Sequence, residues 1–460
     1  MNGIVAFEVL RTDMASDQVP AKRLCIVGAG ACGLATLKAF IDCPQTSTWD
    51  IVALEKQAEV GGVWVPSKTA TPPDLPSTPI YDSLTTNLPH PIMRFTAHPF
   101  PAGTPLYPTH HIVRQYLSSY SEHFGLGKYI RFGHEIIRAS WKDGKWSIRV
   151  RRIPREEQQS TSNRSYLETF DYLLLCSGHY SLPFIPQWPG ISEWSSTKTH
   201  QLSHSIYYRS DTPFKDKVVL VVGAGPSARD ILAEVSVVAK KTYHSLPRSV
   251  YDGQQTENYS VRQKEVVIKP PIRQFTTTSI QFEDLTFSDD VDVVISGTGY
   301  RFDFPFFGDP TLPPLEHHMI PVKSDQADSP PPVLFLGTPS RVIPFPLFEF
   351  QALAATQILL GRKMPPAPPC TTHVLDLEQF NYCDTLARDA GVDLRVQPWV
   401  TRVYALKNVL RKIWRHLERE GDWKRWVEGV DGVEKWRETM DELIGWAIEN
   451  GIVDSDETLT

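Results

Sequence analysis

Cysteine is scarce in this 460-residue chain. Its six copies, Cys25, Cys32, Cys43, Cys176, Cys370 and Cys383, include no C-x-x-C pair and no Cys/His cluster at zinc spacing, so no metal site is expected. Most lie in apolar, strand-like runs, and the expectation is a set of reduced, buried thiols in a cytoplasmic protein. No apolar run approaches the roughly 18 residues of a membrane span. The first residues lack the basic start and apolar stretch of a secretory signal, and the closing IENGIVDSDETLT is polar, so no membrane anchor is expected. There is no basic excess either. A net charge of −6 provides no general field for nucleic acid, and none is expected as a partner. Any phosphate must be held locally.

What is present is enough for more than one core. A chain of 460 residues makes two domains the natural prior. Residues 23–30, RLCIVGAG, read as a buried strand entering a glycine turn. ACGLATLKAFIDC follows with helical spacing of Leu34, Leu37 and Phe40, and DIVAL (50–54) is a second strand ending in Glu55. This is a strand–turn–helix–strand unit of nucleotide-binding length. The Pro/Thr/Ser-rich stretch 66–110 reads as loop packed over something. A helix is expected from Thr109, a hairpin turning at Asp143-Gly144, a solvated loop at 155–165, and buried strands ending in glycine at 170–178 and 291–300. VVLVVGAGPSARDILAEVSVVAKK (218–241) repeats the strand–glycine–helix plan. Beyond 402, Val403, Leu406, Leu410, Ile413 and Leu417 fall at helical spacing, with tryptophans at 423, 426, 436 and 446. That tail is expected to dock a helical pair, on its own chain or in a homodimer.

Gly28, Gly30 and Gly33 form G-x-G-x-x-G between a strand and a helix. The first glycine permits the tight turn, the second admits a pyrophosphate to the backbone, and the third lets helix and strand pack closely. Glu55, at the end of the next strand, can accept from a ribose hydroxyl and would repel a 2′-phosphate. The first loop should therefore take FAD or NAD. Gly223, Gly225 and Ala228, with Ser227 in the turn, repeat the pattern, but the following strand ends in Ser245 and Arg248 with no acid. A guanidinium and a hydroxyl suit a 2′-phosphate, with Lys240 and Lys241 just upstream, so the second loop reads as an NADP(H) site. Two dinucleotides in one chain make sense if hydride passes from NADPH to a flavin.

From about residue 22 to residue 362 the chain resembles the flavin-containing monooxygenases, the soluble fungal type and N,N-dimethylaniline monooxygenase-like proteins included. EKQAEVGGVW (55–64) is similar to the acidic strand end and Gly-Gly-x-Trp segment around the flavin, and YDSLTTNLPHPIMRF (81–95) to a Tyr-x-x-Leu-x-x-Asn stretch. LLLCSGHYSLPFIPQWPG, VVISGTGYRFDFPFF and FPLFEFQALAATQILLG resemble three further family segments. The resemblance implies an α/β fold of two nested dinucleotide-binding Rossmann-like domains with a helical C-terminal tail. The FAD-binding domain would comprise 21–212 and 298–460, with the tail from about 402, the NADP-binding domain 213–297, and a flexible N-terminus 1–20. It implies FAD and NADPH as cofactors, and O2 and a small molecule as substrates. Reduced flavin would capture oxygen as a C4a-hydroperoxide, whose distal oxygen a sulfur or nitrogen nucleophile attacks, in thiol oxidation or secondary metabolism. Asn87 would be the catalytic residue beside the reactive edge of the flavin. Gly62 and Trp64 would line the flavin, Ile136 would lie near the adenine through backbone contacts, and Glu349 and Gln351 would approach the far flavin edge.

The family's motif Phe-x-Gly-x-x-x-His-x-x-x-Tyr is half kept. His204 and Tyr208 match, while Lys198 and His200 stand at the Phe and Gly positions. Baeyer–Villiger relatives carry Trp where Tyr208 stands. A Baeyer–Villiger or N-hydroxylating monooxygenase remains an alternative, as does a redox-sensing module. A pyridine-nucleotide disulfide reductase would need a cysteine pair near the flavin, which Cys25 and Cys32 do not supply.

Overall fold

The computed structural model describes residues 22–67, 72–153, 165–197, 199–252, 266–307, 333–362 and 373–458. The expected flexible N-terminus, all but the last residue of the 155–165 loop, Lys198 and Cys370 lie outside them.

Two five-stranded parallel sheets organise the chain. In the first, strands run in the order Leu334–Phe335, Tyr172–Leu175, Arg23–Val27, Asp50–Glu55, Ile130–Phe132. In the second the order is Val266–Lys269, Lys241–Ser245, Val218–Val222, Val293–Ser296, Gln201–His204. Both central strands, LCIV and VVLVV, are buried along their length. Such unbroken apolar runs are what a strand covered on both faces requires. In each sheet the strand order reverses at the glycine-loop strand, and the crevice beyond the carbonyl ends of such a sheet is where ligands bind.

The second sheet starts earlier than expected. Gln201–His204 pairs in parallel with Val293–Ser296, and Trp194 is buried among Val218, Leu220 and Phe275. This unit therefore draws on residues upstream of the boundary expected at 213, because the sheet edge takes a strand from the entering linker. Where the chain crosses between the two units, Leu182–Pro183 and Tyr300–Arg301 form a short antiparallel ribbon.

Helix Ala31–Asp42 covers the first sheet and packs on helix Pro344–Leu359. The other face carries a three-stranded antiparallel sheet, His134–Lys142, Lys145–Arg152 and Ser165–Phe170. Its first hairpin turns at Asp143 (φ 51°) and Gly144 (φ 72°), the two positive angles of a tight hairpin turn. The expected helix from Thr109 is His110–His123. The tail forms helices Pro398–Ala405, Lys407–Glu420 and Gly432–Glu449. It packs on its own chain, with Leu410, Ile413, Trp414 and Trp436 buried against Leu88, Ile92, Leu106 and Tyr107. Among the described residues no helix is long and apolar enough to cross a membrane, and no group of His, Cys, Asp or Glu is arranged to hold a metal ion.

Candidate active site: two glycine loops and the segment between them

The first loop is closed by its own backbone. Gly28 takes φ +99°, and a Cβ there would lie 2.8 Å from the carbonyl oxygen of Cys176. A Cβ on Gly33 would lie 2.0 Å from the Gly28 oxygen, so strand and helix meet with no room for a methyl. Gly30 faces Gly62: a Cβ on either would meet the other's Cα, at 3.4 Å from Gly30 and 2.9 Å from Gly62. Gly61 N donates to Ala29 O (3.2 Å) and Gln57 Nε2 to Gly62 O (3.2 Å). The turn that follows Glu55 is thereby pinned over the loop, with Trp64 half-buried against the core beneath. No side chain caps the helix that opens at Gly30, which leaves its first amides to an anion.

Glu55 is buried (4% exposed). One carboxylate oxygen accepts from Ala29 N (2.7 Å), the other from Gln57 N (2.7 Å). The carboxylate is thus already oriented by backbone, and a ribose hydroxyl would use the remaining lone pairs. Ile136 sits in the hairpin strand beside a register shift, its side chain packed with Val27, Val52 and Leu54.

The second loop is more open. Gly223 (φ +115°) lies under the Gly297 carbonyl, 2.5 Å from where a Cβ would stand, whereas a Cβ on Gly225 would meet nothing within 4 Å. Ala228 is fully buried, and a Cβ on Gly297 would come within 2.7 Å of the Ala228 methyl, so a larger side chain at 228 has no space. Helix Pro226–Val238 again starts without a side-chain cap, with Ser227 half-buried on its first turn. His244, a polar residue in the buried strand KTYHS, donates from Nε2 to Gly223 O (2.7 Å). Burial pushes its imidazole below the ordinary range, which keeps it neutral. His244 and Gln57 brace the two glycine loops. Sequence reasoning missed both; KTYHS is polar in sequence, and its burial comes only from the sheet around it.

The expected 2′-phosphate readers are placed unequally. Ser245 is buried and its hydroxyl donates to Pro270 O (2.9 Å), so it is a structural brace. Lys241 pairs with Asp290 (2.9 Å), on the opposite end of its strand from the loop. Arg248 stands at the strand end, two-thirds exposed (67%), and forms an ion pair with Glu283.

Asn87 is exposed, and among the described residues nothing bonds its amide. Its segment, 81–88, bridges the two halves. Tyr81 Oη donates to Asp230 (2.9 Å) and Ser83 Oγ to Glu234, both on the helix that opens at the second glycine loop. Tyr208 Oη also donates to Glu234 (2.5 Å), and Arg415 of the tail reaches Asp230 (3.2 Å). The i, i+4 spacing of Asp230 and Glu234 marks one helix face, but the sequence does not reveal what meets it.

The flavin-binding monooxygenase-like family model matches residues 21–251 and 258–366. The chain belongs to this family. It is 28% identical over 443 residues to the flavin-containing monooxygenase FMO GS-OX4 of Arabidopsis thaliana, covering 85% of this chain and 90% of that one. It is 30% identical over 360 residues to the thiol-specific monooxygenase of Saccharomyces cerevisiae, covering 73% and 77%. Among solved structures, S-allyl-L-cysteine S-oxygenase from Allium sativum superposes with a TM-score of 0.73 at 25% identity, covering 93% of this chain and 98% of that one.

As a flavin monooxygenase this chain is an enzyme that uses FAD and NADPH, and its two loops fit them: each has a positive-φ first glycine and an uncapped helix start. Two residues expected near the far flavin edge are held by the protein itself. Gln351 is fully buried; its Oε1 accepts from Gly337 N (2.8 Å) and its Nε2 donates to Tyr382 (2.9 Å). It braces the Gly337 turn, which lies against Cys32 of the first helix. Glu349 accepts from the amide and hydroxyl of Thr96 (3.0 and 2.7 Å), and burial pushes its carboxyl upward.

The altered half of the monooxygenase motif has a structural replacement. His200 stacks on Trp194, ring centroids 4.5 Å apart and planes within 3°. His204 is fully buried; its Nδ1 accepts from Ile206 N (3.1 Å) and its Nε2 donates to Gly299 O (2.9 Å). Burial lowers it to about 4, so a neutral imidazole ties the two crossing segments together. Arg209 holds the carbonyls of Ile206, Tyr208 and Thr78. Tyr208 and Arg209 thus belong to the linker.

Proposed function

We propose that this flavin monooxygenase consumes NADPH and O2 to transfer one oxygen atom to a soft nucleophile, a sulfur or nitrogen centre of a small molecule. The observation that carries this reading is the position of Asn87: exposed, unbonded among the described residues, and on a segment hydrogen-bonded to the helix of the second glycine loop. Sulfur is favoured by two relatives, whose names describe a thiol-specific monooxygenase and an S-allyl-L-cysteine S-oxygenase.

FAD, when bound, supplies the hydride acceptor and the centre at which oxygen is activated. The chain's own residues do the rest. The amides opening helix Ala31–Asp42 hold the flavin pyrophosphate, Glu55 takes a ribose hydroxyl, and Gly62 with Trp64 covers the loop. The amides after Gly225 hold the second pyrophosphate, with Ser227 on that turn and Arg248 at the 2′-phosphate. Asn87 offers a donor and an acceptor between the two, positioning the reacting groups.

The test is stoichiometric. With NADPH and an organic thioether under air, the FAD-loaded enzyme should form one sulfoxide per NADPH consumed, and anaerobic NADPH alone should bleach the flavin. Peroxide formed in place of sulfoxide or N-oxide, for every thioether, thiol and amine offered, would sink the reading. Turnover of ketones instead would move the enzyme to the Baeyer–Villiger branch.

A further inference from the structure

The strand end that reads the second dinucleotide is crowded with carboxylates. Arg248 Nη2 pairs with Glu283, and its Nη1 lies 3.8 Å from Asp252. The neighbouring Asp284 bonds the amide and hydroxyl of Thr286 (3.0 and 2.7 Å), and Lys269 reaches the same hydroxyl (3.5 Å). Glu283 is not on a free loop. Leu246 N donates to Lys269 O (3.0 Å), Ser245 Oγ to Pro270 O (2.9 Å), and Glu283 N to Pro271 O (2.9 Å). These bonds fix the acidic turn against the end of strand Lys241–Ser245, where an adenosine ribose would project its 2′ position.

A phosphate arriving there meets a guanidinium whose fork is already engaged by a carboxylate. It must displace Glu283 and then remain beside its charge. We propose that Glu283 is a specificity-determining residue that competes with the 2′-phosphate of NADP(H) for Arg248, and so limits the preference for NADP(H) over NAD(H). This rests on the reading of Arg248 as the phosphate ligand. An exposed ion pair is worth little by itself, but a dianion held about 4 Å from an extra carboxylate loses about as much again even at the dielectric of water.

Calorimetric binding of NADP⁺ and of NAD⁺ to the oxidised, FAD-loaded protein at low ionic strength tests this. Wild type, Glu283→Gln, Arg248→Ala and the double variant are compared. Glu283→Gln should tighten NADP⁺ by about three- to tenfold, leave NAD⁺ within about twofold, and have a smaller effect in the Arg248→Ala background, where only the charge repulsion is relieved. The gain should shrink as salt is added. Glu283→Ser, which lacks the amide, should behave the same way. If Arg248→Ala weakens NADP⁺ but neither Glu283 variant tightens it, or both nucleotides change equally, the inference falls while the Arg248 assignment stands. If Arg248→Ala leaves NADP⁺ binding unchanged, the assignment itself falls, and the inference with it.

Discussion

At the scale of single residues, two glycines at different positions of the two glycine loops carry different constraints. Gly33 has no space for a methyl, since a Cβ would stand 2.0 Å from the Gly28 carbonyl. Gly225 has φ −73° and open space around the Cβ position, so its constraint comes only from a ligand. Gly225→Ala should fold with an unchanged melting temperature and a full complement of FAD. It should lose NADP⁺ affinity by about tenfold or more, because the methyl occupies the close approach of the pyrophosphate. Gly33→Ala should instead purify depleted of FAD and melt lower. Absorbance of bound flavin together with calorimetric NADP⁺ binding separates the two. Both glycines were legible in the sequence because their spacing is a local pattern. Gln351 was not: its role depends on Gly337, which approaches only when helix Pro344–Leu359 folds back.

At the scale of elements, the tail is the informative case. The spacing of Leu406, Leu410, Ile413 and Leu417 predicts a helix, and Lys407–Glu420 is one, ended by Gly421 at φ 74°. What that face covers is tertiary. Leu410 and Ile413 are fully buried over Leu88, Leu106 and Tyr107, beside the Asn87 segment. Arg411 donates to Thr85 (2.7 Å) and stacks on Tyr107, 4.5 Å from the ring centroid. The tail therefore supports the segment that presents Asn87. Leu410→Ala should destabilise the protein by about 2–4 kcal/mol, read as a lower denaturant midpoint. Product formation should fall before flavin is lost, because the Asn87 segment loosens first.

At the scale of the whole molecule, chemistry between two dinucleotides depends on how the two sheets are held. Glu234 accepts from Tyr208 of the linker and from Ser83 of the Asn87 segment, so one carboxylate on the second unit holds both the linker and the Asn87 segment of the first. Glu234→Ala should leave FAD content and NADP⁺ affinity within about twofold, since neither glycine loop is touched. It should slow the anaerobic bleaching of flavin by NADPH by about tenfold or more, because small misplacements of reacting groups are costly. Stopped-flow absorbance measures this directly; an unchanged rate would mean that the orientation is set by the His204 and Gly299 crossing alone.

The sequence by itself determined the two strand–glycine–helix units, the segments after them and the amphipathic tail. Each is written in short-range spacing that backbone geometry demands wherever the chain goes. Only the tertiary structure decided that Gln201–His204 extends the second sheet, that Ser245 and Gln351 brace backbone, and that Glu283 faces Arg248. Those facts rest on pairs 14 to 92 positions apart, brought together by buried sheets and helices, and no local pattern records them.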